Sequence, residues 1–385
     1  MALSRPLRVV VNAAAARMGG AATHLPNFLA TAGRRYPDDS FVCCVNADAQ
    51  LPPLAPNIRV LRTGTLRNRL AHAAWDQWGV ARVAVREQAD ALLSLLNFGP
   101  VRSPVPHVVL ERNPVYFCPF YLASLGRARS LEVAATRAVA HAVMRGATRV
   151  ITPSAAMREM IRACYPGLAP AKFCVVPHGF GDAAFPRAVS LPVGAAARMA
   201  GSTGTRLLYV THAASYKGVD LLLEASRVLR DDGLLTATTW ITVAREDWPA
   251  GFAAYAAFIE RHYLRTQVRL LGRVPHDAVH LVYAAADLFV YPSLCESFGF
   301  PLVEAMAAGL PVVAADLPLN REMCGGAAVY YAPRDAGALA REVARVAGDA
   351  ALRARLGEAG RIRAGQFSWD DHVDAVMAVV RKAAA

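Results

Sequence analysis

Lysine is almost absent from this chain: three residues, Lys172, Lys217 and Lys382, stand among 42 basic ones. No apolar run reaches the roughly 18 residues that a membrane-spanning helix needs. The N-terminal "MALSRPLRVVVNAAAARMGG" reads as a first strand and not as a signal peptide. The seven cysteines include no C-x-x-C pair, which argues against a disulfide framework or a zinc site and fits a reducing cytoplasm. Paired aspartates occur in "RDDG" and "WDD", but no D-x-D spacing that would hold a metal is present. With no zinc spacing, helix-turn-helix or clustered basic tail, nucleic acid is a poor partner. Acid is scarce too, but only at one end. Residues 1–185 hold 21 Lys+Arg against 10 Asp+Glu, whereas the remaining residues hold 21 against 20. The net charge of +12 therefore sits in the first part, which points to an anionic partner there, such as acidic lipid or a phosphorylated substrate.

What is present is alternation. At 385 residues the chain exceeds one typical hydrophobic core, and two domains are the natural prior. Short β-branched runs alternate with longer helical patterns, as in parallel βαβ units. In the first part the candidate strands are "LRVVVNA", "FVCCVN", "IRVLR", "ALLSLL", "HVVLE", "RVITPS" and "FCVVPHG". In the second they are "RLLYVT", "TWITVA", "VRLLG", "LFVYPS", "VVAA" and "AVYYA". The expectation is an α/β fold with two Rossmann-like, doubly wound domains facing across a cleft. The first spans 1–183, a Gly/Ala/Pro-rich linker spans 184–205, and the second spans 206–368. The default ligand site of such sheets lies off the C-terminal ends of their strands.

One stretch carries most of the chemistry. "CESFGFPLVEAM" places Glu296 on a loop and Glu304 one turn inside the helix that follows. Pro301 suits the first turn of that helix, where its missing N–H costs nothing, and Gly299 lets the backbone approach a ligand closely. The helix start, from Ser297, Phe298, Gly299 and Phe300 through Pro301, Leu302 and Val303, is then a ready anion site for a diphosphate. A carboxylate pair that merely suits the helix dipole is the bland alternative, and it does not explain why Glu296 precedes the helix.

These residues resemble the family 4 retaining glycosyltransferases, which have the GT-B fold and an E-x7-E motif. The resemblance runs from "VRLLGRVPHDAVHLVYAAADLFVYPSLCES", which includes Val274, through "GLPVVAADLPLNREMCGGAAVYYAPRD". In the first part it is looser, resting on Gly19 and Gly20, "WDQWGV" and "VVPHGF". It implies that Glu296 contacts the transferred sugar near the reacting carbon and that Glu304 binds the nucleotide ribose. In "THAASYKGVD", Lys217 matches the lysine that neutralises the donor diphosphate, and Gly218 opens the next helix. Gly19 and Gly20 match the glycine loop that closes over sugar and phosphates. The last helix, 369–385, crosses back onto the first domain in such enzymes.

Two departures stand out. Many relatives carry an arginine five residues before the lysine, where this chain has His212, a weaker clamp because it is only partly charged at neutral pH. Many also end the strand "HVVL" with a histidine near the reacting carbon, where this chain has Glu111. Glu111 is then a candidate for acceptor or sugar hydroxyls, and His107 a strand-start residue without a special role.

The resemblance implies a hexosyltransferase moving sugar with retention from a nucleotide sugar, with UDP- or GDP-sugars (GDP-mannose among them) as donors. The acceptor is a glycan or lipid-linked glycan, in bacterial surface polysaccharide assembly at the inner face of the membrane. No cofactor and no metal is expected. Alternatives are a catalytically silent GT-B subunit that binds membrane or a partner, and a nucleotide-sugar epimerase. The basic first domain, with Arg137, His141 and Arg145 at four-residue spacing, suggests peripheral contact with anionic membrane.

Overall fold

A computed structural model of the chain describes residues 5–16, 20–64, 66, 68–181 and 188–385, the side chains of 20–23 and 69 excepted. Two compact units emerge. The first comprises Met1–Phe185 with Phe367–Ala385, and the second Pro186–Gln366.

The first unit is built on β1 (Arg8–Ala13), β2 (Ser40–Val45), β3 (Ile58–Arg62), β4 (Ala91–Ser94), β5 (His107–Leu110), β6 (Arg149–Thr152) and β7 (Phe173–Val175). They form one parallel sheet in the order β3-β2-β1-β4-β5-β6-β7. The second unit holds β8 (Thr205–Tyr209), β9 (Ala237–Ile241), β10 (Val268–Leu270), β11 (Leu288–Tyr291), β12 (Val312–Ala315) and β13 (Ala328–Tyr331). Their order is β10-β9-β8-β11-β12-β13, again all parallel. Each of the thirteen expected strands is present. Central strands buried on both faces, such as "VVV" in β1 and "FV" in β11, are continuous apolar runs because helices cover both sides. In both sheets the order reverses beside the first strand, at β1/β4 and at β8/β11, so each unit has a topological switch point.

The helix Trp369–Ala384 belongs to the first unit, burying Trp369, His372, Val373, Val376, Met377 and Val380. Polar contacts fix its register. Arg381 donates to the buried Asp39, whose other oxygen accepts from Leu7 N at the start of β1. Arg35 pairs with Asp370 and Asp374, Ser368 caps the helix through Asp371 N at 3.0 Å, and Trp369 Nε1 donates to Gly181 O at 2.6 Å. Gly179 lies so close that a Cβ there would meet the Trp369 ring at 2.5 Å.

Two expectations are corrected. The stretch 184–205, read as a linker, carries the helix Val193–Met199 within the second unit. Its alanines favour helix, and Arg198 anchors it by donating to Leu271 O at 3.0 Å. The basic stripe is also not a free surface. Arg137 lies over the Tyr165 ring and His141 stacks on the same ring at 4.2 Å, leaving Arg145 as the exposed member. No helix among the described residues is long and apolar enough to cross a membrane.

Candidate functional site

Two charged residues of the second unit, Lys217 and Glu296, follow the C-terminal ends of β8 and β11, the two strands flanking its switch point. After β8 the chain makes a turn, Ser215–Lys217, and enters the helix Val219–Asp231 at Gly218. Gly218 has φ 65°, and a Cβ there would meet Pro292 O at 2.5 Å. Only glycine lets this loop lie against the end of β11. Leu294 N donates to Tyr216 O at 3.0 Å, and Tyr209 OH donates to Lys217 O at 2.7 Å, so the two loops are fastened to each other.

That fastening brings Lys217 to Glu296. Their Nζ and Oε1 atoms are 2.5 Å apart, with side chains 11% and 16% exposed. Ser293 Oγ donates to the same carboxylate oxygen at 2.7 Å. Burial alone pushes the Glu296 carboxyl up, but the Lys217 charge and the hydrogen bonds from Lys217 and Ser293 outweigh it. The carboxyl is held below the ordinary range and is ionised at neutral pH. A charge-assisted contact of this kind is among the stronger hydrogen bonds a protein makes.

Past Glu296 the chain turns at Gly299, whose φ of 77° is left-handed, and begins the helix Phe300–Ala307 with Pro301 in its first turn. Phe298 is buried and packs edge-on to Phe300 at 4.9 Å. Leu302 and Val303 turn into the core, which fixes the helix while its N-terminal end carries the partial positive charge that suits phosphate. Ser297 and Pro301 stay half-buried. Glu304, also half-buried, accepts a hydrogen bond from Tyr283 OH at 2.8 Å, which orients its carboxylate.

Of the remaining candidates, His212 lies exposed in the loop after β8, edge-on to Tyr216 at 6.4 Å. Partial desolvation and then the Lys217 charge lower its imidazole, so it is neutral at pH 7. Val274 is half-buried in the loop after β10. Gly19 lies outside the described residues, and Gly20 is the first residue of the helix Gly20–Arg35 in the first unit. Glu111, also in the first unit, follows β5 and is fully buried with no hydrogen-bond partner on either oxygen. Burial raises its carboxyl well above the usual range. His107 is a core residue within 2.9 Å of Ser94 Oγ.

Sequence reasoning did not find Ser293 or Tyr283, which hold the two carboxylates in place. The available signals were slight: a serine directly after the "LFVYP" strand, and a single tyrosine in the apolar helix Val279–Ala285. It also missed that "WDQWG" forms a π-helical turn, Trp75–Gly79, a distortion frequent at functional sites. There Asp76 accepts from Asn12 Nδ2 at 2.8 Å, at the C-terminal end of β1.

Residues 200–363 match the family described as Glycosyl transferases group 1. Among curated relatives, O-antigen chain mannosyltransferase B of Escherichia coli is 36% identical over 113 residues, covering 29% of this chain and 30% of that one. The chain covers between 30% and 52% of the length of the first three curated relatives it matches. Among solved structures, sucrose-phosphate synthase from Thermosynechococcus elongatus aligns with a TM-score of 0.75 at 17% identity, over 98% of both chains. HepE from Anabaena, in complex with UDP and glucose, aligns with a TM-score of 0.70 at 18% identity, over 98% of this chain and 99% of that one. The architecture is that of the GT-B glycosyltransferases among its structural neighbours, and residues 200–363, which include Lys217, Glu296 and Glu304, are similar to the glycosyl transferases group 1.

Proposed function

We propose that this protein is a retaining hexosyltransferase of family 4 type, which binds a nucleotide diphosphate sugar on its second unit. The observation that carries the reading is the Lys217–Glu296 pair at the ends of adjacent strands beside a helix N-terminus. The helix start and Lys217 take the donor diphosphate. Glu304, oriented by Tyr283, accepts from the ribose hydroxyls. Glu296 is ionised and so accepts hydrogen bonds from the sugar; it does not serve as a proton donor. As the diphosphate leaves, Lys217 shares its charge with the departing oxygens, stabilising charge where it develops. The bond from the anomeric carbon to phosphate breaks while the acceptor oxygen bonds to the same face. The acceptor proton passes to the leaving phosphate oxygen. Backbone and lysine handle the diphosphate, so transfer needs no metal there.

The acceptor is assigned to the first unit, with Glu111 as its candidate, while Gly19 and Gly20 are kept as candidates for the donor. The match to an O-antigen mannosyltransferase favours GDP-mannose as donor and a surface polysaccharide as product. The UDP and glucose in the Anabaena structure keep UDP-sugars as the competing donor class. The location that follows is cytoplasmic, at the membrane face. A thermal-shift screen of UDP-, GDP- and ADP-sugars tests the reading. A ligand at a hundred times its dissociation constant adds about 2.7 kcal/mol to the folded state, and that shift should vanish in Lys217→Ala. No shift with any nucleotide sugar, or the same shift in Lys217→Ala, overturns the donor assignment.

A further inference from the structure

The first unit contains a second cluster that the transferase reading does not use. His24 on the helix Gly20–Arg35, His178 after β7, and His372 on the helix Trp369–Ala384 bring their ring nitrogens within 4.8 Å of one another, all three side chains buried. His24 Nε2 and His372 Nε2 are 2.9 Å apart. His372 Nδ1 lies 2.7 Å from Pro177 O. A carbonyl only accepts, so Nδ1 carries the proton and the Nε2 lone pair of His372 faces the cluster. A backbone carbonyl fixing the far nitrogen is the usual support of a metal-ligating histidine.

We propose that His24, His178 and His372 form a three-imidazole site for a divalent metal of the zinc, cobalt and nickel class, which fastens the C-terminal helix to the first unit. Imidazole nitrogen suits these ions. Bonds of about 2.0–2.1 Å in tetrahedral geometry separate ligand nitrogens by about 3.3 Å. The His24–His372 pair is already near that spacing, and the third nitrogen needs to close by at most about 1.5 Å. In the metal-free chain His24 Nε2–H donates to His372 Nε2; binding requires only that His24 carry its proton on Nδ1 instead. The Arg112 guanidinium acts electrostatically on all three imidazoles.

Arg112 makes the fourth ligand predictable in kind. A dication beside a guanidinium is repelled unless its fourth ligand is an anion, and Arg112 Nη1 is buried with no partner. A hydroxide or small carboxylate at the open position satisfies both. The site lies in the unit that lacks Lys217 and Glu296, so it leaves the metal-free account of the donor diphosphate untouched.

The test strips the full-length protein with dipicolinate and titrates it with cobalt(II), then zinc(II). The Trp369 ring lies 5.4 Å from His24 and 5.5 Å from His372, so cobalt should quench part of the tryptophan fluorescence. One equivalent should also give the visible absorption of a tetrahedral site, and zinc should displace it and raise the melting temperature. His178→Gln should weaken affinity by at least about a hundredfold, beyond the 10–100-fold typical of a supporting residue. His276→Gln, on the exposed surface of the second unit, should change nothing. If His178→Gln does not fold, His24→Asn is read by the same titration. The proposal is overturned by the absence of stoichiometric cobalt binding, or by equal affinity in the ligand variant that folds.

Discussion

The two units share a sheet topology and differ in how they treat buried charge. In the second, Glu296 and Lys217 neutralise each other, Ser293 adds a hydrogen bond, and Tyr283 holds Glu304. In the first, Glu111 is buried with both oxygens unpartnered, Arg112 Nη1 and Arg137 Nε are buried without partners, and Asp76 has only Asn12 against its burial. Buried polar groups in folded proteins are normally satisfied. The second unit thus pairs its buried site charges with its own residues, although Tyr291 OH and Tyr331 OH are buried without partners, whereas the first leaves buried charged groups that call for something from outside the chain. A donor that arrives as one defined molecule suits the former, and an acceptor or metal suits the latter.

The comparison breaks most directly at Glu296. Glu296→Gln keeps the shape and the Ser293 contact but removes the charge that Lys217 balances. Transfer should fall by at least about a hundredfold, the loss typical of removing one preorganised electrostatic partner. Donor affinity should change less, because Lys217 is then released to the diphosphate. Steady-state kinetics with the donor found by the screen decide it. Turnover within about threefold of wild type, under half a decade of rate, removes Glu296 from the chemistry.

A backbone change sharpens the same contrast at constant chemistry. Gly218 and Gly233 both have left-handed backbone, φ 65° and 63°. Alanine at Gly233 meets open space and should cost only the conformational penalty, about 1–2 kcal/mol. Alanine at Gly218 drives into Pro292 O, so it should cost more and part the Lys217 and Glu296 loops. Denaturant melts of both variants, with donor binding measured alongside, check this. Equal losses of stability with donor binding intact would falsify the role given to the Gly218 contact.

Buried carboxyls of the two units should also respond to pH in opposite senses. Glu296 has its carboxyl held below the ordinary value, so its contribution is present at neutral pH and lost as pH falls through the folded value. Glu111 and Asp76 are the reverse. Burial raises Glu111 well above 4.5 and Asp76 from 3.8 to about 6. Their unfolded forms release protons first as pH rises. These two carboxyls therefore subtract stability from about pH 4 upward, through pH 6 for Asp76 and higher for Glu111, while the buried imidazole of His107, lowered to about 4, acts in the opposite sense. Glu111→Gln should raise stability at pH 8 and leave it nearly unchanged at pH 4. Urea titrations at the two pH values provide the measurement. A Glu111→Gln protein less stable than wild type at pH 8 would show that the carboxylate has a partner in solution.

Much of this was legible in the sequence, and the reason is local. Nearly every strand is a short run with β-branched or aromatic residues (β4, Ala91–Ser94, is the exception), and many end at Pro, Gly or Asn, so period and punctuation agree. Glu296, Gly299 and Pro301 could be placed because a strand end, a turn glycine and an N-terminal proline lie within one short window. The linker misled because "GAAARM" is loop-like by its glycine and helical by its alanines, and only the Arg198 contact to Leu271 selects helix. Likewise, Arg137 and His141 look like a basic stripe until Tyr165, on another segment, covers them. His24 and His372 are separated by 348 positions, and no periodicity reaches that far. Local physics was readable; side chains meeting across the fold were not.

The smallest expected effect tests the charge contrast at the surface. The first part of the chain has 11 more basic than acidic residues, against one more in the rest. The helical segment Arg69–Arg86 exposes Leu70, Trp78 and Val85, at 81%, 63% and 61%. Arg59, Arg62, Arg82 and Arg86 are exposed on or near it in sequence, although Glu87 pairs with Arg59 and Arg86. Apolar side chains with basic neighbours are the composition of a segment that lies in a lipid interface. Each basic residue near an anionic surface contributes about 1 kcal/mol, and that attraction is screened over about 8 Å at physiological salt. The protein should therefore sediment with vesicles containing phosphatidylglycerol at low salt, release as salt rises, and bind phosphatidylcholine vesicles weakly. Trp78→Ser should reduce binding several-fold and Arg62→Gln by less, because one basic residue gives only part of the attraction while the indole is the largest exposed apolar group of the segment. Equal partitioning onto both vesicle types, or none onto either at low salt, assigns this face to ordinary solvation and leaves the excess charge of the first unit to a soluble anionic acceptor.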